Sequence, residues 1–110
     1  MIEVINKHKV NTSLITDRAI VDIMRGSPLG NKFRITQTRS REQTVKEYRI
    51  WLWLMIKRRD KAVITELSRI RVLAERDNVC LVCCCSPKLC HGEVIKSAIN
   101  WSINMRAKKK

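Results

Sequence analysis

Seven consecutive residues, Val79-Cys80-Leu81-Val82-Cys83-Cys84-Cys85, carry no charge and almost no polarity. An unbroken run of β-branched and small apolar residues predicts a strand buried on both faces, the setting of a middle strand in a parallel sheet. Asp77-Asn78 turns the chain into it, and Ser86-Pro87 ends it, because Pro87 fixes φ and lacks a backbone donor. Cys90-His91 then stands in the first turn of a last helix that runs from Gly92 to about Met105. A strand, a rigid turn and a helix start in this order place any chemistry at the carboxyl end of the strand, where open α/β sheets hold their ligands.

Parallel neighbours need crossover connections, and the preceding residues supply them. Met1–Val10 reads as a short strand and Ile15–Met24 as a second, with Asn11-Thr12-Ser13 turning between them. Arg25-Gly26-Ser27-Pro28-Leu29-Gly30-Asn31 is the richest Gly/Pro segment and predicts a loop. Ser40-Arg41-Glu42-Gln43 has the capping-box form and opens a helix from Arg41 to about Arg58, with Val45, Tyr48, Leu52 and Met55/Ile56 facing inward. Trp51 and Trp53 lie off the centre of that stripe, so the helix either packs on two sides or presents a surface to a dimer mate or partner. Asp60 caps a second helix to about Glu75, with Val63, Leu67, Ile70 and Ala74 on one face. The expected fold is a single three-layer α/β domain over residues 1–105 with a small, mostly parallel sheet, followed by a basic tail at 106–110.

The chain of 110 residues has a formal charge of +13, concentrated in two blocks. Residues 25–62 hold eleven basic and three acidic side chains, and residues 95–110 hold five basic and no acidic ones. A surface of this kind attracts polyanions by releasing their condensed counterions, so nucleic acid or a nucleotide is the leading partner class, and solubility alone is the competing reason for the charge. No apolar run approaches the ~20 residues that span a bilayer, and the N-terminus has no signal-peptide pattern, so no membrane association is expected. Five cysteines crowded at 80–90 suit a disulfide framework poorly and point to a reducing cytoplasm.

The cysteines divide by position. Cys83 and Cys85 point to one side of the strand and Cys84 to the other; Cys80 and Cys84 read as core. Cys90, at a helix start whose N–H groups favour an anion, is a candidate nucleophile, with His91 or Glu93 as proton carriers. Zinc held by Cys83, Cys85, Cys90 and His91 is the rival, opposed by spacing tighter than the usual ligand pairs and by adjacent Cys90 and His91 having to turn to one ion. The third reading gives Cys and His packing and capping roles. No Arg follows Cys90 closely enough for a phosphatase-type loop, no Gly-rich nucleotide motif occurs, and no cofactor is called for. Arg25, Gly26, Ser27, Gly30 and Asn31 could meet a phosphate, and Lys32, Arg34, Arg39, Arg41, Lys57, Arg58 and Arg59 are the candidate phosphate contacts of a nucleic-acid surface. The five aromatic residues do not alternate with basic ones as a stacking strand would.

The Arg25–Asn31 segment, the Cys83–Ile95 segment and an Arg41-Glu42 helix carrying Tyr48 and Trp51-Leu52 together resemble an uncharacterised family of small bacterial and phage proteins. That family shows G-R-x-S-P-L-G-N-P-F and C-x-C-x-P-x-x-C-H-G-[DE]-V signatures around such a helix. Arg25, Ser27, Gly30, Asn31, Cys85, Pro87, Cys90, His91, Gly92 and Glu93 match it, whereas Met24 and Lys32 depart from its usual Gly and Pro. The resemblance implies a Rossmann-like fold whose two signature loops meet at one crevice, and it implies no reaction. The functional expectation is a small basic protein that binds nucleic acid or a phosphate-bearing ligand and acts on it through a Cys-His site. The alternative is a non-enzymatic binding module or phage effector that contacts a host protein through its basic or Trp-bearing surface, as a monomer or homodimer.

Overall fold

A computed structural model describes residues 2–7, 14–15, 17–24, 26–31, 33, 36–83 and 90–108. Three strands, β1 (Ile2–Asn6), β2 (Ala19–Asp22) and β3 (Val79–Cys83), form a parallel sheet in the order β1-β3-β2. Three helices, α1 (Arg41–Arg58), α2 (Lys61–Arg76) and α3 (His91–Lys108), complete the described α/β fold.

The run at 79–83 is the middle strand, buried at every position. It pairs Ile2 with Val79 through Asn6 with Cys83 on one side, and Ala19 with Val79 through Asp22 with Val82 on the other. Its two faces have different cover. Val79, Leu81 and Cys83 join Val21, Tyr48, Leu52, Ile70, Ile95 and Ile99 in the main core, so all three helices contribute to one side of the sheet. Cys80 and Val82 turn to the other side, where Ile5 lies beside them and Ile15 and Met24 pack over them. Among the described residues the third layer is therefore made by connecting segments and not by a helix.

The helices begin where their side chains can satisfy backbone donors. Ser40 Oγ accepts from Gln43 N–H at 3.2 Å, and an Asp60 carboxylate oxygen accepts from Val63 N–H at 3.1 Å. α1 ends at Arg59, whose φ of 58° is left-handed and whose N–H returns to the Ile56 carbonyl. Val45, Tyr48 and Leu52 form the buried face of α1, with Met55 and Ile56 partly buried beside them; Val63 and Ile70 do the same for α2.

Boundaries differ locally from the sequence reading. β1 stops at Asn6, and 8–10 lie outside the described residues; β2 occupies only the centre of 15–24. β3 is described to Cys83, with Cys84 and Cys85 outside the described residues. The last helix begins one residue earlier than Gly92 and continues past Met105 to Lys108.

Candidate functional site at the carboxyl edge of the sheet

Parallel pairing brings Asn6, Cys83 and Asp22 to one edge. Lys7 N–H donates to the Cys83 carbonyl at 2.9 Å, and Ile23 N–H to the Val82 carbonyl at 3.2 Å, so both outer strands remain tied to β3 as they leave the sheet. Beyond β2 the chain makes two successive turns. Ser27 N–H and Oγ both donate to the Met24 carbonyl, at 3.1 and 2.8 Å, and Gly30 N–H donates to the Ser27 carbonyl at 3.1 Å. Gly26 has φ +97°, a conformation that side chains resist, and no heavy atom lies within 4 Å of where a Cβ would stand. Its glycine is required by the backbone, not by crowding. Asn31 Oδ1 accepts from Phe33 N–H at 2.8 Å and holds the exit of the loop.

The start of α3 is bonded directly to this loop. The Ile23 carbonyl can only accept, so His91 Nε2, 2.6 Å away, carries the proton. The imidazole is 7% exposed, and burial pushes its pKa below the usual histidine range, partly opposed by that same bond. Tyr48, from α1, meets the His91 ring edge-on with centroids 5.0 Å apart and donates its hydroxyl to the Leu29 carbonyl at 2.6 Å. Burial raises the phenol pKa, so the hydroxyl keeps its proton. Loop, α1 and α3 thus meet in one junction of His91, Tyr48, Ile23 and Leu29.

Cys90 precedes the first helical residue and occupies the capping position, one residue outside the first turn assigned to it from sequence. Its Sγ accepts from Gly92 N–H at 3.4 Å, and its carbonyl accepts from Glu93 N–H at 3.3 Å. The sulfur is 3.7 Å from Cys83 Sγ, far beyond the ~2.05 Å of a disulfide, so these are two thiols in contact. Both are buried, Cys83 at 0% and Cys90 at 3% exposure. Gly92 is pressed against the sheet: a Cβ there would come within 2.8 Å of Val4 Cγ1 and 3.1 Å of Ile23 Cδ1.

The proposed chemical groups therefore separate. Cys90 and His91 face inward, while Glu93 is exposed. Among the described residues no three His, Cys, Asp or Glu side chains are grouped to hold a metal; of the zinc set, His91 turns Nε2 to a carbonyl and Cys85 lies outside the described residues. Ser27, Gly30 and Asn31 belong to the loop that reaches α3, and Arg25 lies outside the described residues, as do Lys32 and Arg34. Arg39 pairs with Glu47 at 3.0 Å and lies over the Phe33 ring at 5.8 Å. Arg41 is half-buried at the start of α1. Lys57, Arg58 and Arg59 are exposed at the other end of that helix, Lys57 and Arg58 about 14–15 Å beyond Tyr48 along the axis at ~1.5 Å per residue. They are not part of the loop junction.

Sequence reasoning placed Tyr48 in the inward stripe and in the helix signature of the resemblance, without a partner for its hydroxyl. A tyrosine at the centre of an inward stripe needs a partner for its hydroxyl, and an apolar Leu29 inside a Gly/Pro loop needs a place to bury; those two signals pointed to each other.

A small parallel α/β sheet with its loops gathered at the carboxyl edge is the class of protein defined by this arrangement. The chain belongs to DUF4326, a domain family of unknown function, whose profile covers residues 5–101. No curated protein and no solved structure matches it. Among the described residues no helix is long and apolar enough to cross a membrane.

Proposed function

We propose that the protein binds nucleic acid through its phosphates, with the surface where the 26–31 loop meets the start of α3 receiving one phosphate-bearing group. The observation that carries this reading is the bonded junction at the carboxyl edge: His91 to Ile23 and Tyr48 to Leu29 fix a turn-rich loop beside a helix start. The dipole at the start of α3 favours an anion there, and the net charge of +13 favours a polyanion. Lys57, Arg58 and Arg59 make a second basic cluster that could only be reached by an extended ligand.

Binding without catalysis suits the geometry better than a Cys-His reaction. Cys90 Sγ receives the Gly92 N–H and packs against Cys83, and His91 commits Nε2 to Ile23. On this reading Cys90→Ser preserves nucleic-acid affinity, and alkylation of Cys90 in the folded protein proceeds only as fast as the core opens. Rapid alkylation at neutral pH would restore the nucleophile reading.

The binding test is a salt titration with short DNA and RNA duplexes and single strands. Affinity should fall linearly with log salt, and Arg58→Ala with Arg59→Ala should reduce the slope by about one per lost phosphate contact. Absence of affinity at low salt removes the proposal.

A further inference from the structure

The outer surface of α1 and α3 has the opposite character from the carboxyl edge. Lys46, Arg49, Ile50, Trp53, Leu54 and Lys57 are all exposed on one side of α1, at spacings of three and four residues that put them in one broad row. Ile50 is 61% exposed, Leu54 39% and Trp53 36%. α3 lies alongside: Trp101, 51% exposed, meets Trp53 in an edge-to-face pair with centroids 5.4 Å apart, and Met105 is exposed one turn further on. A recess of about 100 Å³ opens beside Trp101, floored by Ile56, Ile64, Leu67, Ala98 and Ile99.

In a chain that is 30% charged, Ile50–Ile56 and Ser97–Met105 contain no charged residue, and they are side by side. Charge returns at the borders, where it is mostly positive. Lys46 and Arg49 bound the apolar centre at one end and Lys57 and Arg58 at the other; Glu42, a turn before Lys46, and Glu93, a turn before Ser97 on α3, are acidic exceptions, and Arg71 at the recess is paired with Glu75. An uncharged centre containing Trp and Met inside a basic rim has the composition of a protein-binding patch.

We infer that this face docks a protein partner through an acidic amphipathic helix, whose apolar row covers Ile50, Trp53, Leu54 and Trp101 while its carboxylates meet Lys46, Arg49 and Lys57. Charge selects this occupant. A second copy would bring the same basic rim, on a chain of the same +13 charge, against the first. Nucleic acid would satisfy the rim but leave Ile50, Leu54 and Met105 against phosphate and sugar. An amphipathic helix seated in an apolar groove uses both parts at once. This inference is independent of phosphate binding at the carboxyl edge.

The test uses the full chain and two synthetic peptides of identical composition, about five turns long: one with leucines in an i, i+4, i+7, i+11 row flanked by glutamates, and one scrambled to have no apolar face. Calorimetry and tryptophan fluorescence should show the amphipathic peptide binding at least about tenfold more tightly, with that advantage lost in Trp53→Ala and in Leu54→Ser. Leu54 is partly exposed, so its variant should keep the parent helicity and unfolding midpoint and isolate the surface effect. Equal binding of both peptides overturns the inference, because charge alone would then explain it. So does a stable dimer in sedimentation equilibrium that Ile50→Lys dissociates, or phosphatidylserine vesicles displacing the peptide from the Trp53 face.

Discussion

At the carboxyl edge of the sheet, chemically versatile side chains are spent on construction; on the outer face of α1 and α3, side chains without such chemistry are left in solvent. His91, Tyr48, Cys83 and Cys90 are buried and bonded or in contact, whereas Ile50, Trp53, Leu54 and Trp101 are exposed. The contrast teaches that a reactive residue type does not by itself mark an accessible side chain. A buried polar group without a partner is costly, so Cys and His near a core are consumed by its hydrogen bonding, while exposed apolar area persists only where something else offsets it.

The strongest way to break the contrast is at Tyr48. Tyr48→Ala removes a fully buried ring and the donor to Leu29, and should lower the unfolding free energy in urea by about 3–5 kcal/mol. Tyr48→Phe removes only the hydroxyl and should cost about 1–3 kcal/mol by leaving the Leu29 carbonyl unsatisfied. A loss below half a kcal/mol for either variant would show that the junction does not hold the loop.

Gly92→Ala should destabilise by about 1–3 kcal/mol, since the new methyl would overlap Val4 and crowd Ile23, and pairing it with Val4→Ala should recover part of the loss. Acid should act through His91. Its folded pKa lies below the ordinary ~6.5, so the unfolded chain binds more protons between the two values. Stability contributed by this group is therefore complete above about 6.5 and declines as pH falls through the window below it. Replacing His91 with Gln should flatten that part of the stability–pH curve, and an unchanged curve would remove His91 as its source. The smallest effect is expected on the outer face: Ile50→Ser should change stability by less than about 0.5 kcal/mol, because most of its side chain is already in water.

Local patterns carried much of this fold. The uncharged run at 79–83 announced the middle strand, and Ser40 and Asp60 announced two helix starts whose inward stripes follow the apolar spacing. Strand order was not legible, because β1 and β2 have similar short apolar patterns and nothing in either specifies which side of β3 it takes. At the junction, the helix N-terminus at Cys90-His91 could be read, but the direction of the side chains could not. Whether Cys90 Sγ faces a ligand or Cys83, and whether His91 reaches solvent or the Ile23 carbonyl, depends on contacts across 7 and 68 positions of sequence. Trp51 and Trp53 looked equivalent on the helix; the packing of Trp51 against Tyr48 and of Trp53 against Trp101 separates them into a partly buried and an exposed residue.

The order β1-β3-β2 also sets a timetable for the nascent chain. Ile2–Asn6 is made first, yet its partner in the sheet, Val79–Cys83, emerges from the ribosome only after α1 and α2 have been synthesised. Until then neither β1 nor β2 can complete its ladder, and a chain stalled near Arg76 would expose two short apolar strands awaiting the same mate. Closing so distant a pairing is entropically slow. The sheet can therefore close only once residues 79–83 are free to pair, and the released fragment 1–76 should be far more protease-sensitive than the full chain.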